Sequence, residues 1–193
     1  MTINEIDTIM HFAGDANVKK FIDDHTVFSR NISITKNLLE FARKNDVKFF
    51  IFGSSDRIYG DVKGKATENT LISPKELYAA SKVTGEALTM AYAKTYGIDF
   101  TILRIANVYG PGQRPELFIP SIINQSLSED IIKVGNIDVY RNFVYVKDVA
   151  SACEVVMKKK DAKNNIFNIG ESTSILRNVI TVVSQIREKY LGA

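Results

Sequence analysis

The chain has few residues of the types that form metal and disulfide sites. Its 193 residues include one cysteine and two histidines. The single thiol, Cys153, excludes an internal disulfide and a cysteine-based metal site, and its apolar helical pattern indicates burial. The two imidazoles, His11 and His25, are too few to assemble a histidine metal site. We therefore predict no metal centre, and we interpret His11 as a histidine packed within a strand.

Long apolar runs and strong net charge are also missing. No apolar run approaches the ~18 residues of a membrane span, and the first residues lack a signal-peptide pattern. The formal net charge is +3, and the lysines are scattered except for the run Lys158–Lys160, which we expect at the C-terminal end of a helix. These features predict a cytoplasmic protein that binds neither nucleic acid nor a membrane.

A glycine-rich phosphate-binding turn is the third absence. Neither G-x-G-x-x-G nor G-x-x-G-x-x-G occurs in the sequence. Such a turn connects the first strand and helix of a dinucleotide-binding half, where the helix N-terminus holds the pyrophosphate. We therefore expect this chain by itself to bind a dinucleotide poorly or not at all.

Apolar periodicity predicts alternating strands and helices, which is typical of an α/β fold with a parallel sheet. Gly53 is expected to end the second strand, and Asp148 is expected to cap the start of a helix. The predicted strands are Thr8–Phe12, Phe49–Phe52, Phe100–Arg104 and Phe167–Gly170, with a further extended run within 131–140. The predicted helices are Asn31–Lys44, Leu77–Tyr96, Phe118–Ser128, Val149–Met157 and Ile175–Leu191.

The stretch with the clearest chemical content runs from Phe49 to Lys82. Tyr78 and Lys82 are four residues apart in a predicted helix, so both side chains lie on one face. A neighbouring cation favours the phenolate, which predicts that the pKa of Tyr78 is lowered toward neutrality. Ser55 follows a buried strand, at the edge where open α/β sheets bind their ligands.

Several motifs appear in one order: HFAG, SSDRIYG, YAASK, LRIANVYGPG, RNFVYVKDVA and FNIG. Together they resemble the extended short-chain dehydrogenase/reductase family, and in particular its nucleotide-sugar epimerases and dehydratases, over nearly the whole chain. The resemblance implies a partial Rossmann-like parallel sheet, the second half of a doubly wound fold. It also implies one truncated domain over residues 1–193, with parts of a small substrate-binding lobe within 111–145 and 171–193.

The same resemblance assigns roles to individual residues. It implies NAD as the cofactor and a nucleotide sugar as the substrate. For Asn31 and Arg141, a structural role is the alternative to ligand binding: Asn31 as a polar residue near a helix start, and Arg141 as a partner in a surface salt bridge. The implied catalytic residues are Ser55, Tyr78 and Lys82. The implied cofactor-binding residues are Phe12, Ala13, Gly14, Asn31, Tyr78 and Lys82. The implied substrate-binding residues are Ser55, Asp56, Asn107 and Arg141.

One departure from the family bears on the reaction. The 4,6-dehydratases carry threonine, aspartate and glutamate where this chain has Ser55, Asp56 and Arg57, and a guanidinium cannot accept a proton. This favours epimerase or reductase chemistry over dehydration. The preferred hypothesis is an NAD-dependent nucleotide-sugar epimerase, and a nucleotide-sugar reductase or 4,6-dehydratase is the alternative. A non-catalytic fragment that acts only as an interaction module is a further alternative. We also expect a homodimer or a partnered chain, joined through the exposed strand Thr8–Phe12 and the helices 31–44 and 77–96.

Overall fold

The computed structural model describes residues 6–129, 131–170, 174–176, 178–181, 183 and 185. The chain divides into two compact units. Unit 1 comprises Met1–Ala106 and Ala152–Ile169, and unit 2 comprises Asn107–Ser151 and Gly170–Ala193. The end of the predicted helix Ile175–Leu191, from residue 186 onward, lies outside the described residues.

The strands and helices alternate along the chain. The strands are β1 Thr8–His11, β2 Phe49–Ser55, β3 Asp99–Ile105, β4 Asn107–Tyr109, β5 Tyr140–Arg141, β6 Phe143–Tyr145, β7 Asn165–Ile169 and β8 Ser174–Ile175. The helices are α1 Val18–Asp23, α2 Thr26–Lys44, α3 Leu77–Tyr96, α4 Phe118–Ser128 and α5 Val146–Lys158. Short 3-10 turns cover Asp56–Tyr59 and Lys160–Ala162.

A parallel four-stranded sheet forms the centre of unit 1, in the order β1-β2-β3-β7. Strand β2 is buried along its whole length, which explains why its apolar residues run continuously instead of alternating. Helices α2 and α3 contribute Leu39, Ala42, Leu88 and Tyr92 to the core around Phe50 and Phe52. The predicted α/β fold with a partial Rossmann-like sheet is confirmed.

Helix α3 buries a polar face beside its apolar one. Leu88 and Tyr92 are partly buried where they pack against the core. The residues actually buried on this helix are Tyr78, Ala79, Ser81, Gly85, Glu86 and Thr89. The inward face is therefore largely polar, and its polar side chains form hydrogen bonds with buried partners.

Several predicted boundaries were wrong. Helix α2 begins at Thr26, so Asn31 lies inside the helix and not at its start. Strand β2 continues through Gly53 to Ser55, since its register with β3 extends that far. Helix α5 begins at Val146, so Asp148 lies in the first turn instead of capping it. There its negative charge still favours the helix N-terminus.

Two other elements differ from the prediction. Helix α1 was not predicted; Asn17 caps its start, accepting a hydrogen bond from the Lys19 N–H at 3.1 Å. Within the expected extended run 131–140, the described residues form a strand only at Tyr140, which pairs with Ile175 of β8. Gly135 and Asn136, which favour turns, interrupt this run.

Unit 2 contains two small sheets. Strands β4 and β6 pair in parallel, and β5 and β8 pair in antiparallel fashion. Aromatic rings pack around the first pair: Tyr109 lies 5.4 Å from Tyr145, and Phe118 stacks on Phe143 at 6.3 Å between centroids. In the described part of the chain, no helix combines the length and apolar character needed to cross a membrane.

Candidate active site

Ser55 and Tyr78 meet at the carboxyl end of β2. Ser55 is the last residue of that strand and is 6% exposed, while Tyr78 stands in the first turn of α3 and is 9% exposed. The side chain of Ser55 interacts with the Tyr78 phenol and acts to lower its pKa. The ring of Phe21 from α1 packs edge-on against Tyr78 at 5.7 Å. Strand and helix thus bring a hydroxyl and a phenol together.

Lys82 lies one turn further along the same helix. Its Nζ donates a hydrogen bond of 2.8 Å to the Gly53 carbonyl and lies 5.9 Å from the centre of the Tyr78 ring. Nζ also lies 5.2 Å from the centre of the Phe52 ring. Burial lowers the pKa of Lys82 from 10.5 to about 8. The structure therefore brings together the three residues expected to be catalytic.

The expected direction of the Tyr78 shift was wrong. Burial raises the pKa of Tyr78 above its ordinary value of 10.0, and this effect outweighs the opposing hydrogen bond from Ser55 and the positive charge of Arg57. The Lys82 ammonium is directed to the Gly53 carbonyl and does not donate to the phenol oxygen in the described contacts. Loss of solvent dominates, so Tyr78 holds its proton in this state.

A cluster of charges surrounds this pair. The Arg57 N–H donates to Ser55 Oγ at 3.3 Å, and its guanidinium forms an ion pair of 2.9 Å with Glu76. Ser55 Oγ lies 3.5 Å from an Asp56 carboxylate oxygen. The negative charges of Asp56 and Glu76 raise the pKa of Tyr78, whereas Arg57 lowers it.

His11 is packed within β1, as predicted. Its Nε2 lies 2.9 Å from Thr35 Oγ1 of α2, and its ring lies 5.5 Å from that of Phe52. Its Nδ1 is buried and has no hydrogen-bond partner among the described residues. Burial, followed by the positive charge of Lys82, lowers the pKa of His11 to about 4. His11 is therefore a neutral core residue near physiological pH.

The loop after β1 is closed by Asn31. The Asp15 N–H donates to Asn31 Oδ1 at 2.9 Å, and Asn31 Nδ2 donates to the Asp15 carbonyl at 3.0 Å. Gly14, with φ of 137°, lies against this amide. Phe12 and Ala13 are exposed beside it, and the Phe12 ring covers Gly53 so closely that a Cβ at Gly53 would lie 2.5 Å from Phe12 Cδ1.

The two remaining predicted site residues lie in unit 2. Asn107 begins β4, where its Nδ2 donates to the Asn142 carbonyl at 2.9 Å. Arg141 precedes Asn142 in the chain, is exposed, and donates to the Tyr140 carbonyl at 3.0 Å. The two residues are therefore neighbours within their unit.

The sequence matches the NAD dependent epimerase/dehydratase family over residues 1–170. The chain belongs to the NAD-dependent epimerase/dehydratase family. NAD is the cofactor of this family, whose members include nucleotide-sugar epimerases and dehydratases.

Individual members of the epimerase/dehydratase family cover nearly all of this chain. An uncharacterized UDP-glucose epimerase of Bacillus subtilis is 33% identical over 186 residues, which cover 94% of this chain and 58% of that protein. A trifunctional UDP-glucose 4,6-dehydratase, 3,5-epimerase and reductase of Arabidopsis thaliana is 36% identical over 193 residues, covering 96% of this chain and 29% of that protein.

A solved structure from the same group shares the fold. The UDP-glucuronic acid 4-epimerase of Bacillus cereus, in complex with UDP-glucuronic acid and NAD, superimposes with a TM-score of 0.86 at 28% identity. The match covers 97% of this chain and 60% of the Bacillus cereus chain. The chain thus spans less than two thirds of the length of these relatives.

Sequence reasoning missed four residues around the site of this epimerase/dehydratase chain. They are Phe21, Tyr59, Glu86 and Arg104, and all are buried. Two signals were present: Glu86 continues the helical spacing of Tyr78 and Lys82, and Arg104 is a charge within an apolar strand.

Proposed function

We propose that this chain carries the catalytic residues of an NAD-dependent epimerase of a nucleotide sugar. The observation that carries the proposal is the cluster of Ser55, Tyr78 and Lys82 at the carboxyl end of β2. A hydroxyl, a phenol and an ammonium group in one largely buried cluster can hold a sugar oxygen and move its proton.

In the proposed reaction, Tyr78 accepts the proton of a sugar hydroxyl as that carbon becomes a ketone. It returns the proton when the ketone is reduced on its other face. Ser55 donates a hydrogen bond to the same oxygen, and Lys82 holds a positive charge beside the phenol. When bound, NAD supplies the redox chemistry by exchanging a hydride with the sugar carbon.

The raised pKa of Tyr78 has a consequence for this reaction. Its proton-accepting form is scarce near neutral pH because burial favours the neutral phenol. Turnover is therefore expected to increase as the pH rises above neutrality. A rate that stays constant or falls over pH 7 to 9 would count against Tyr78 as the proton acceptor.

The surface beside β1 supports NAD as the cofactor of this chain. Ala13 and Gly14 are small and exposed, so a ligand can approach their backbone. Asn31 fixes the shape of that loop through its two hydrogen bonds to Asp15. In the proposal, Phe12, Ala13, Gly14 and Asn31 form one side of the cofactor surface, and Tyr78 and Lys82 hold the nicotinamide ribose.

Arg57 supports epimerisation over dehydration. The elimination step of a dehydratase uses both an acid and a base, supplied by an adjacent aspartate and glutamate, whereas Arg57 carries a guanidinium that is paired with Glu76 and cannot accept a proton. Asp56 alone remains beside Ser55. Product analysis separates the two reactions, since an epimerase returns an isomer of its substrate and a dehydratase releases water. A 4-keto-6-deoxy product would favour the dehydratase.

Asn107 and Arg141 are proposed to bind the diphosphate of the nucleotide sugar. Arg141 is exposed, and its planar guanidinium suits a diphosphate. Two similar solved structures hold UDP-sugars: UDP-glucose in a Thermotoga maritima UDP-glucose 4-epimerase, and UDP-glucuronic acid in the Bacillus cereus enzyme. UDP-glucose and UDP-glucuronic acid are therefore the first substrates to test, in the cytoplasmic setting expected for this chain.

The central test is Tyr78→Phe in a protein that joins this chain to the amino-terminal half of a relative carrying the glycine-rich turn. We expect a loss of at least ~10²-fold in kcat, typical of a removed proton-transfer group. Tyr96→Phe is the control, because Tyr96 is exposed on the same helix. Near-normal turnover in Tyr78→Phe would remove this residue from the mechanism.

The chain by itself is proposed to be inactive, because it contains no glycine-rich turn. Calorimetric titration with NAD tests this directly, and no binding at millimolar ligand is expected. Tight binding would require that activity be assayed in the chain as it stands.

A homodimer is also proposed. In the described part of the sheet, β1 pairs only with β2, which leaves one side of its backbone available. Phe41 on α2 and Met90 on α3 are large apolar residues that remain exposed. Light scattering at micromolar concentration is expected to give the mass of two chains, and a monomer would contradict the proposal.

A further inference from the structure

A buried ion pair lies on the helix face that carries Tyr78 and Lys82. Glu86 stands four residues after Lys82, so the three side chains follow each other along one face of α3. Glu86 is 1% exposed and Arg104 of β3 is 3% exposed. Their contact is bidentate, with Nε to Oε1 at 3.0 Å and Nη2 to Oε2 at 2.8 Å.

The same carboxylate fixes α3 to the strand that carries Ser55. The hydroxyl of Ser54, the preceding residue in β2, donates to Glu86 Oε1 at 2.5 Å. Gly85 permits this contact, because a Cβ at that position would overlap the tip of the Phe52 ring. Helix and strand are therefore held in one register at a contact that lies one residue before Ser55 and about two helical turns after Tyr78.

The guanidinium also holds the segment between β2 and α3. Arg104 Nη1 donates to the Tyr59 hydroxyl and to the Glu68 carbonyl, both at 2.9 Å. The Tyr59 hydroxyl in turn donates to Asn168 Oδ1 at 2.7 Å, and the Asn168 N–H donates to a Glu68 carboxylate oxygen at 2.7 Å. Residues 61–75 are thereby tied to the carboxyl ends of β3 and β7.

We infer that Glu86 and Arg104, together with Tyr59, are positioning residues: they set the register of α3 on β2 and hold residues 61–75 at the sheet edge where the sugar would bind. Only the identity of the ligand rests on the proposed epimerase function. The positioning itself can be measured without any ligand.

The chemistry of the pair separates this role from stability. Replacing a buried ion pair with apolar residues of similar volume is often neutral or stabilising, because the charges no longer lose their hydration. A guanidinium that makes four directed hydrogen bonds instead specifies geometry. Removing both charges together should therefore keep the fold but leave residues 61–75 and the register of α3 on β2 less firmly held.

The double variant Glu86→Leu/Arg104→Met tests the inference in the chain as it stands. We expect its Tm to stay within a few degrees of wild type. Hydrogen exchange in residues 61–75, followed by mass spectrometry, should accelerate by at least ~10-fold, which is a typical effect of losing a local hydrogen-bonded anchor. The NMR titration of Tyr78, assigned with Tyr78→Phe, should shift by about half a pH unit or more because its burial changes.

Glu154→Leu/Lys158→Met is the matched control, since this ion pair is exposed on α5. It should leave both the exchange and the titration unchanged. A folded Glu86→Leu/Arg104→Met protein with wild-type exchange and a wild-type Tyr78 titration would overturn the inference.

Tyr59→Phe keeps the test decisive if the double variant does not fold. It removes only the hydroxyl between Arg104 and Asn168. Faster exchange in residues 61–75 with the fold retained supports the positioning role, and unchanged exchange refutes it. Titration of the wild-type chain with UDP-glucose and UDP-glucuronic acid runs in parallel: absence of binding bears on the proposed function alone, because exchange and Tyr78 titration need no ligand.

Discussion

The site residues of unit 1 and unit 2 differ in their burial and in the contacts that hold their side chains. Ser55, Tyr78 and Lys82 are largely buried, and the pKa values of Tyr78 and Lys82 are shifted by that burial. Arg141, by contrast, is exposed and contacts only a neighbouring carbonyl in the described structure. The groups proposed for chemistry are thus preorganised, whereas this group proposed for diphosphate binding is available to solvent.

The difference separates residues whose replacement affects stability from residues whose replacement affects binding alone. A buried polar group must be held by partners, so its replacement affects stability as well as activity. An exposed arginine can be replaced with little effect on folding, so its replacement reports on binding alone. Four matched pairs of variants test this contrast.

The largest effect is expected from the two arginines. Arg104→Ala leaves the buried Glu86 carboxylate without its partner, which typically costs about 3–5 kcal/mol. Arg141→Ala should change the free energy of unfolding by less than about 0.5 kcal/mol. Urea denaturation measures both, and equal losses would erase the contrast between the units.

Acid should destabilise the chain through His11. Its folded pKa of about 4 lies below the ordinary 6.5, so the unfolded state binds more protons between these values. Its stabilising contribution is present above pH 6.5 and is lost as the pH falls toward 4, by up to about 3 kcal/mol.

The substitution His11→Gln tests this in urea denaturation at pH 7 and pH 4.5, with His25→Gln as the exposed control. The acid-induced loss should shrink in His11→Gln and persist in His25→Gln. An unchanged loss in His11→Gln would assign it to other groups.

Lys82 should lower stability near neutral pH. Its pKa falls from 10.5 to about 8 on folding, so wild-type stability rises as the pH increases through that window. Lys82→Met removes this dependence. The free energy of unfolding of Lys82→Met, taken relative to wild type, should therefore be about 2–3 kcal/mol higher at pH 7.5 than at pH 10.5. Lys147 is exposed on α5, and Lys147→Met should show no such difference between the two pH values. A pH-independent result for both variants would contradict the expectation.

The smallest effect concerns two glycines. Alanine improves helix propensity by about 1 kcal/mol, but at Gly85 its Cβ would overlap the Phe52 ring, and overpacking costs about 1–3 kcal/mol. We expect Gly85→Ala to lower stability by about 1–2 kcal/mol. Gly135→Ala has open space around it and should be nearly neutral. A stabilised Gly85→Ala would mean that α3 packs less tightly than described.

The parallel sheet and the three central residues could be predicted because their signals are local. Continuous apolar runs mark β2 and β3, and four-residue spacing places Tyr78 and Lys82 on one face. Helix α1 lacked such a signal, since six residues with three charges hold little periodicity. The start of α2 was also missed, although Val27 lies seven residues before Ile34 and continues its apolar face.

The electrostatics could not be predicted because they depend on burial and distant partners. The sign of the Tyr78 shift follows from loss of solvent, which spacing alone does not report. Glu86 was not singled out because a glutamate in a helix is usually solvated. Its partner Arg104 lies on another element, and only the folded chain brings the two charges together.

The polar inner face of α3 constrains the order in which the chain can assemble. If α3 docked on β2 before β3 was in place, Glu86 would be buried without the guanidinium of Arg104, at a cost of several kcal/mol. Docking of α3 before β3 is in place is therefore disfavoured. We expect α3 and β3 to pack onto β2 in one cooperative step. The buried carboxylate of Glu86 thus disfavours compact states in which Arg104 is not yet in place.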